Sequence, residues 1–105
     1  MNTTSKTAAI REASGYCAIA GQRTSWHIYG PYRYSDPHGP STEMTADSYA
    51  KAVAIRTAWR ARIALALMGR LTEDTACKVD EARHYPTSAM VGSGVANLVR
   101  FALRP

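Results

Sequence analysis

Aromatic and β-branched residues cluster in short segments of the first half of the chain, whereas apolar residues recur at helical spacing in the second half. The short segments predict three strands, over 15–21, 25–32 and 41–45. A helix over 6–13, capped by Ser5, is predicted before them. Between the second and third segments, "SDPHG" (35–39) has the residues of a turn. Strands that follow one another this closely predict a small antiparallel sheet.

The longest helical pattern lies between Asp47, a favourable N-cap, and Gly69, which suits a C-terminal stop. Its 21 residues would extend about 30 Å. Large apolar side chains share one face of this helix, and alanines share a second. They are Val53, Ile55, Trp59, Ile63 and Leu67 on the first face, and Ala50, Ala54, Ala58, Ala61 and Ala64 on the second. A helix that is apolar on two sides is predicted to be a long central helix, packed between the sheet and the remaining helices.

Two further helices are predicted toward the C-terminus, one on each side of Pro86. Thr72 caps the first of them, over 73–84. The second has apolar residues at i, i+3, i+4, i+7 and i+8 within 95–103. The resulting order, α-β-β-β-α-α-α, indicates an α+β fold. A chain of 105 residues is expected to form a single domain over 1–105.

Basic residues outnumber acidic ones, and the excess lies in the first two-thirds of the chain. The formal net charge is +5; residues 1–72 hold nine Lys/Arg against four Asp/Glu, and residues 73–105 hold four of each. A field of this sign attracts nucleic acid or an acidic protein surface and raises the rate of encounter with either. The alternative is a soluble protein whose basic charge serves no partner.

Residues that carry out catalysis or bind metal are few and scattered. The three histidines match no zinc-ligand spacing, and the two cysteines supply no second cluster. "GSG" (92–94) precedes the last predicted helix but lacks the lysine and the glycine spacing of a phosphate-binding loop. We therefore expect no cofactor, no metal and no enzymatic activity. An enzyme that uses Cys17 or His27 is the remaining alternative.

No segment of the chain has the pattern of a signal peptide or a membrane span. Charged residues interrupt the N-terminus before an apolar run forms, and the best apolar stretch, 61–68, is short and contains Arg62. The cysteines lie sixty residues apart without a CxxC motif, which favours two reduced thiols, although the sequence leaves a disulfide open. These features predict a cytoplasmic protein that makes no contact with a membrane.

The stretch "YGPYRYSDPHGP" (29–40) combines aromatic, basic and proline residues. A second strand that continued to Tyr34 would carry its last residues past the core and into solvent. Tyrosine and arginine are enriched in interface hot spots, and they also stack on single-stranded bases. The predicted partner-binding residues are Tyr29, Tyr32, Arg33, Tyr34 and His38, with Arg56 and Arg60 as supporting charges. The alternatives are a hairpin that packs on its own neighbours and arginines whose stems cover apolar surface.

The run "TSWHIYGPYRYSDPHGPSTE", followed by "ADSYAKAVAIRTAWRARIALALMG", resembles small proteins of phages and mobile elements from GC-rich proteobacteria. Proteins of this kind include anti-CRISPR inhibitors. The resemblance implies a non-enzymatic inhibitor in the host cytoplasm that occupies a surface of a host protein complex, such as a Cas effector subunit. The basic charge departs from inhibitors that imitate DNA with acidic residues. Direct nucleic-acid binding by the same residues is the second interpretation. The sequence allows a monomer or a homodimer, since the alanine face and the last predicted helix could each pack against a second copy.

Overall fold

Four helices and one three-stranded antiparallel sheet form the described residues, 4–84 and 94–105, of this computed structural model. In chain order the elements are α1 (Lys6–Ala13), β1 (Ala18–Gln22), β2 (Ser25–Arg33), β3 (Asp36–Ala46), α2 (Tyr49–Leu67), α3 (Glu73–His84) and α4 (Val95–Ala102). The predicted α+β class and the antiparallel sheet are confirmed. The strand order is β1-β2-β3, so β2 lies in the middle and the other two strands are edges.

Hydrogen bonds at the helix ends explain where α1 and α2 begin and end. The Oγ of Ser5 accepts a hydrogen bond from a backbone N–H in the first turn of α1. The predicted Asp47 cap of α2 is wrong, because Ser48 Oγ accepts the Lys51 N–H at 3.2 Å. The Asp47 carboxylate instead pairs with the Lys51 ammonium at 2.9 Å. Gly69, with φ +69°, follows the last turn of α2, and its position as the stop is confirmed.

The last two helices agree with the sequence pattern within the described residues. The Oγ1 of Thr72 accepts the Thr75 N–H at 3.1 Å, which confirms Thr72 as the cap of α3. Pro86, predicted to separate α3 from α4, lies outside the described residues. None of the helices in the described part of the chain is long and apolar enough to cross a bilayer.

The β2–β3 hairpin reverses at a different place from the predicted turn. Arg33 pairs with Asp36, so the chain turns through residues 34 and 35, and the prediction of a turn over 35–39 is wrong. Between the pairs Arg33–Asp36 and Pro31–Ser41, β2 advances by two residues and β3 by five. β3 therefore begins earlier than predicted and carries a distorted segment over 37–40. Prolines are tolerated in such a segment because its residues have no partner in the β2–β3 register, so the N–H that proline lacks is not needed for the ladder.

One face of the sheet packs on α2, and no described helix covers the opposite face, which we call the open face. On the inner face Ile19, Ile28 and Met44 lie in register across the three strands, and Ile28 is fully buried. Gly30, two residues farther along β2, is buried directly against the ring of Trp59. α2 also contacts α1, α3 and α4, so it touches every other described element of the fold. The core consequently lies around α2.

Candidate binding surface

The hairpin tip presents Tyr32 and Arg33 to solvent. The register of the β2–β3 ladder shifts between Pro31 and Arg33, and this shift releases Tyr32 from the strict alternation of the strand. Tyr32 is 68% exposed, the highest value among the large hydrophobic side chains of the described residues. Neither its hydroxyl nor the Arg33 guanidinium bonds to another residue in the ranges that the structure describes.

A shallow concavity adjoins these two side chains. Its volume is about 370 Å³, and it is lined by Tyr32, Arg33, Asp36 and Pro40. A Cβ at Gly39 would lie 2.6 Å from the Asp36 Oδ2, so the exposed Asp36 carboxylate would have to rotate to accommodate a larger residue there. We refer to Tyr32, Arg33 and this concavity as the tip site. It combines an aromatic ring, a cation that has no partner among the described residues and a nearby carboxylate, a mixture that suits contact with a protein surface.

Tyr34, only one residue beyond Arg33, has different surroundings. Its ring is partly buried against the core, and its hydroxyl accepts a hydrogen bond of 3.0 Å from Arg62 Nη1. The Arg62 guanidinium lies 5.4 Å from the centre of the Tyr34 ring and also forms an ion pair with Asp80 of α3. Tyr34 therefore joins the turn to α2 and α3, and the structure does not place it with the tip site.

Tyr29 lies on the open face of the sheet, away from the tip. Its ring stacks on His27, with the centroids 6.4 Å apart and the planes 17° apart. The His27 Nδ1 is 2.9 Å from the Glu43 Oε1 across the β2–β3 ladder. Tyr29 is 40% exposed, so it remains available for contact, but within a group that contains a carboxylate.

Tyr16 brings together two of the predicted residues that lie far apart in sequence. Its hydroxyl is 2.8 Å from His38 Nε2, and the two rings meet edge to face at 5.4 Å. Its backbone carbonyl accepts a hydrogen bond of 2.7 Å from Arg60 Nε. Sequence reasoning missed Tyr16, because it stands at the start of a predicted strand and no spacing connects it with positions 38 and 60.

Arg56 and Arg60 lie one helical turn apart on α2 and next to Cys17. Burial and the adjacent Arg56 charge lower the pKa of Arg60 below its usual range. Arg56 Nε is buried and has no hydrogen-bond partner among the described residues. These two arginines are therefore a half-buried pair of like charges that no carboxylate within the described ranges balances.

The candidate nucleophile Cys17 is a buried thiol. Burial raises its pKa from 9.0 to about 11, and the positive charges of Arg60 and Arg56 only partly oppose this effect. His27 pairs with Ala20 of β1 and contacts Glu43, so the structure does not bring it together with Cys17. Cys17 also has φ +67°, which ends the extended chain there and explains why β1 begins later than predicted. The arrangement lacks the thiolate and the adjacent base that nucleophilic catalysis requires.

The two cysteines are expected to differ strongly in reactivity. At pH 8 a thiol-specific disulfide reagent should modify the exposed Cys77 rapidly and Cys17 at least about 100-fold more slowly, because burial blocks access and only about one Cys17 in a thousand is ionised. In denaturant both should react at similar rates. Cys77→Ser should remove the fast phase alone. Two equally fast phases in the folded protein would contradict the burial of Cys17.

The neutral Cys17 thiol also gives a pH dependence. A pKa raised on folding means that the contribution of this thiol to stability is complete below pH 9 and is lost as the pH rises toward 11. Between pH 9 and pH 11 the slow modification of Cys17 should therefore accelerate more steeply than the ionised fraction of this thiol alone requires, because the folded state also loses stability.

Other candidate chemistry adds nothing to the tip site. No group of three or more His, Cys, Asp or Glu side chains in the described residues is placed to hold a metal ion. Gly92 and Ser93 of the "GSG" stretch lie outside those residues, and Gly94 is the N-cap of α4. Two other concavities, of about 620 and 300 Å³, are lined by none of the predicted partner-binding residues.

No protein-family model, curated protein or solved structure matches this chain. The resemblance to small phage and mobile-element inhibitors therefore stays a prediction.

Proposed function

We propose that this protein is a non-enzymatic inhibitor that binds a host protein complex through the tip site. The observation that carries the proposal is the exposure of Tyr32, at 68%, beside an arginine that has no partner in the described residues. Large aromatic and arginine side chains dominate the energetics of protein interfaces when a partner desolvates them. In keeping with the resemblance, the partner is a host defence complex such as a CRISPR–Cas effector, encountered in the host cytoplasm.

The tip site is held in place before it meets a partner. Tyr34 ties the turn to Arg62 and Asp80, and His38 ties the distorted segment of β3 to Tyr16. A surface whose backbone is already ordered loses less conformational entropy on binding, so more of the contact energy appears as affinity. The packing of Tyr34 thus supports the proposal although Tyr34 itself faces the core.

Nucleic-acid binding is the second candidate function. The net charge of +5 and the exposed Tyr32 and Arg33 favour it. Two carboxylates oppose nucleic-acid binding. Asp36 lines the concavity of the tip site, and Glu43 lies opposite Tyr29 in the β2–β3 ladder and contacts His27. Phosphates would be repelled at both places, whereas a mixed protein surface can place its own cations there.

The test is affinity capture from lysate of the native host, with and without nuclease, followed by mass spectrometry. We expect the same protein complex in both samples, and an affinity that changes by less than about tenfold between 50 and 200 mM salt. Nucleic-acid binding through six or more phosphates would weaken by about 10³-fold or more over that range, through counterion release. Recovery of nucleic acid alone, with no stable protein partner, would overturn the proposal. Full inhibition at far less than one copy per complex would contradict a non-enzymatic mechanism.

A further inference from the structure

The outer edge of β1 is open to another strand. Among residues 4–84 and 94–105, β1 pairs only with β2, and α2 and β2 are the elements that pack against it. Its five residues, "AIAGQ", include no charge and no proline, and all of them except Ile19 are exposed. The backbone groups that point away from β2 have no strand partner in the described part of the chain, and they can pair with an added chain.

The other sheet edge is protected. β3 contains Pro37 and Pro40, a shift in register, and the charged Glu43, each of which interferes with strand addition. Natural sheets use these devices to prevent edge-to-edge pairing, so their absence from β1 distinguishes the two edges.

Arg56 and Arg60 specify what kind of strand fits the β1 edge. Both lie beside Cys17, which directly precedes β1, and neither has a carboxylate partner within the described ranges. Arg60 donates a hydrogen bond from its Nε–H to the Tyr16 carbonyl, whereas Arg56 forms no hydrogen bond to any residue in the described part of the chain. A carboxylate between them would supply the missing counter-charge and accept charge-assisted hydrogen bonds.

We propose that β1 accepts an extended acidic segment of a partner protein as a fourth strand, with one of its carboxylates held by Arg56 and Arg60. This inference rests on the proposed function in one respect, since it assumes that the ligand is a protein. The added strand pairs its backbone with the outer edge of β1, and its alternate side chains face the α2 layer where the two arginines lie. A second copy of this chain fits poorly, because pairing β1 with its own copy would bring four arginines together.

The test uses the full-length ¹⁵N-labelled protein and a blocked peptide of alternating threonine and glutamate, about seven residues long so that it spans β1 with one residue to spare at each end. We expect the backbone amides of Ala18–Gln22 to shift and to exchange more slowly with solvent, and the Nε–H signal of Arg56 to shift with them. Arg56→Gln should weaken peptide binding by about tenfold or more, a loss of about 1.4 kcal/mol. Arg100→Gln, an equal charge change on α4, should leave binding unchanged.

Two control peptides separate the backbone contact from the charge contact. The matched threonine–glutamine peptide should bind at least about tenfold more weakly, and a peptide N-methylated at alternate residues should lose the protection of the β1 amides. Equal binding of the glutamine peptide would overturn the inference. Self-association through β1 would also overturn it. A third contradicting result would be that inorganic phosphate shifts the Nε–H signal of Arg56 as the peptide does, while the peptide leaves the β1 amides unprotected. Because no host partner is present, these failures would leave the tip site untouched, whereas a failed capture experiment would contradict the proposed function.

Discussion

Gly30→Ala is expected to lower the free energy of unfolding by about 3 kcal/mol. A Cβ at this position would lie 2.3 Å from Cε3 and 2.5 Å from Cζ3 of the Trp59 ring, far inside van der Waals contact. The ring is only 7% exposed and belongs to the α2 side of the core, so it has little room to move. Relief would require α2 and β2 to separate, which would loosen the packing of the whole sheet on the helix.

Urea denaturation, monitored by tryptophan fluorescence, measures this decrease in the free energy of unfolding. Gly94→Ala is the matched control, since a Cβ there meets nothing within 4 Å and should cost less than about 1 kcal/mol as a change of helix cap. Combining Gly30→Ala with Trp59→Leu should cost clearly less than the sum of the single changes, because the leucine removes the ring atoms that the Cβ would strike. A loss below about 0.5 kcal/mol for Gly30→Ala alone would show that the sheet and α2 do not pack as closely as described.

Tyr32→Ala combined with Arg33→Ala is expected to weaken capture of the host complex by at least about 30-fold, the loss typical of a hot-spot residue. The fold should remain intact, since neither side chain bonds to another described residue and Tyr32 is 68% exposed. The dissociation constant for the captured complex, measured at fixed salt alongside a thermal unfolding curve, tests both statements.

The control removes one tyrosine and one arginine elsewhere. Tyr49→Ala with Arg100→Ala changes the charge equally and truncates another exposed tyrosine, yet it leaves the hairpin tip unaltered. It should retain affinity within about threefold of the wild type. Undiminished binding by the Tyr32/Arg33 variant, in a protein that unfolds at its normal temperature, would show that the contact lies elsewhere.

The elements whose signals are local were predicted well from the sequence. Ser5, Thr72 and Gly69 mark helix ends through bonds within one turn, and the helical period between them needs no knowledge of the rest of the chain. The strands were predicted in number and order but less well in extent. The predicted third strand is shorter than β3 because the two prolines of β3 are typical of a turn. The shift in register that accommodates them arises only when β2 is paired alongside.

The candidate site divides in the same way. The sequence predicts Tyr32 and Arg33 as contact residues because a turn requires neither of them, and the structure leaves both side chains exposed. It could not show that Tyr34 turns inward, since its partner Arg62 is 28 positions later in the chain, and Asp80, which pairs with Arg62, is 46 positions later. The link from Tyr16 to His38 and Arg60 is likewise a product of the fold, visible only after the sheet has been placed on α2.

The bridge from Tyr34 through Arg62 to Asp80 has a consequence for how the tip site tolerates change. The residues proposed to meet a partner lie on the hairpin, whereas Arg62 and Asp80, which fix the adjacent turn through Tyr34, lie on α2 and α3. A substitution at Asp80 would therefore leave the contact residues intact and yet lower affinity by increasing the number of tip conformations in the free protein. If the protein has the proposed inhibitory function, its affinity can thus evolve through substitutions at positions that do not contact the partner.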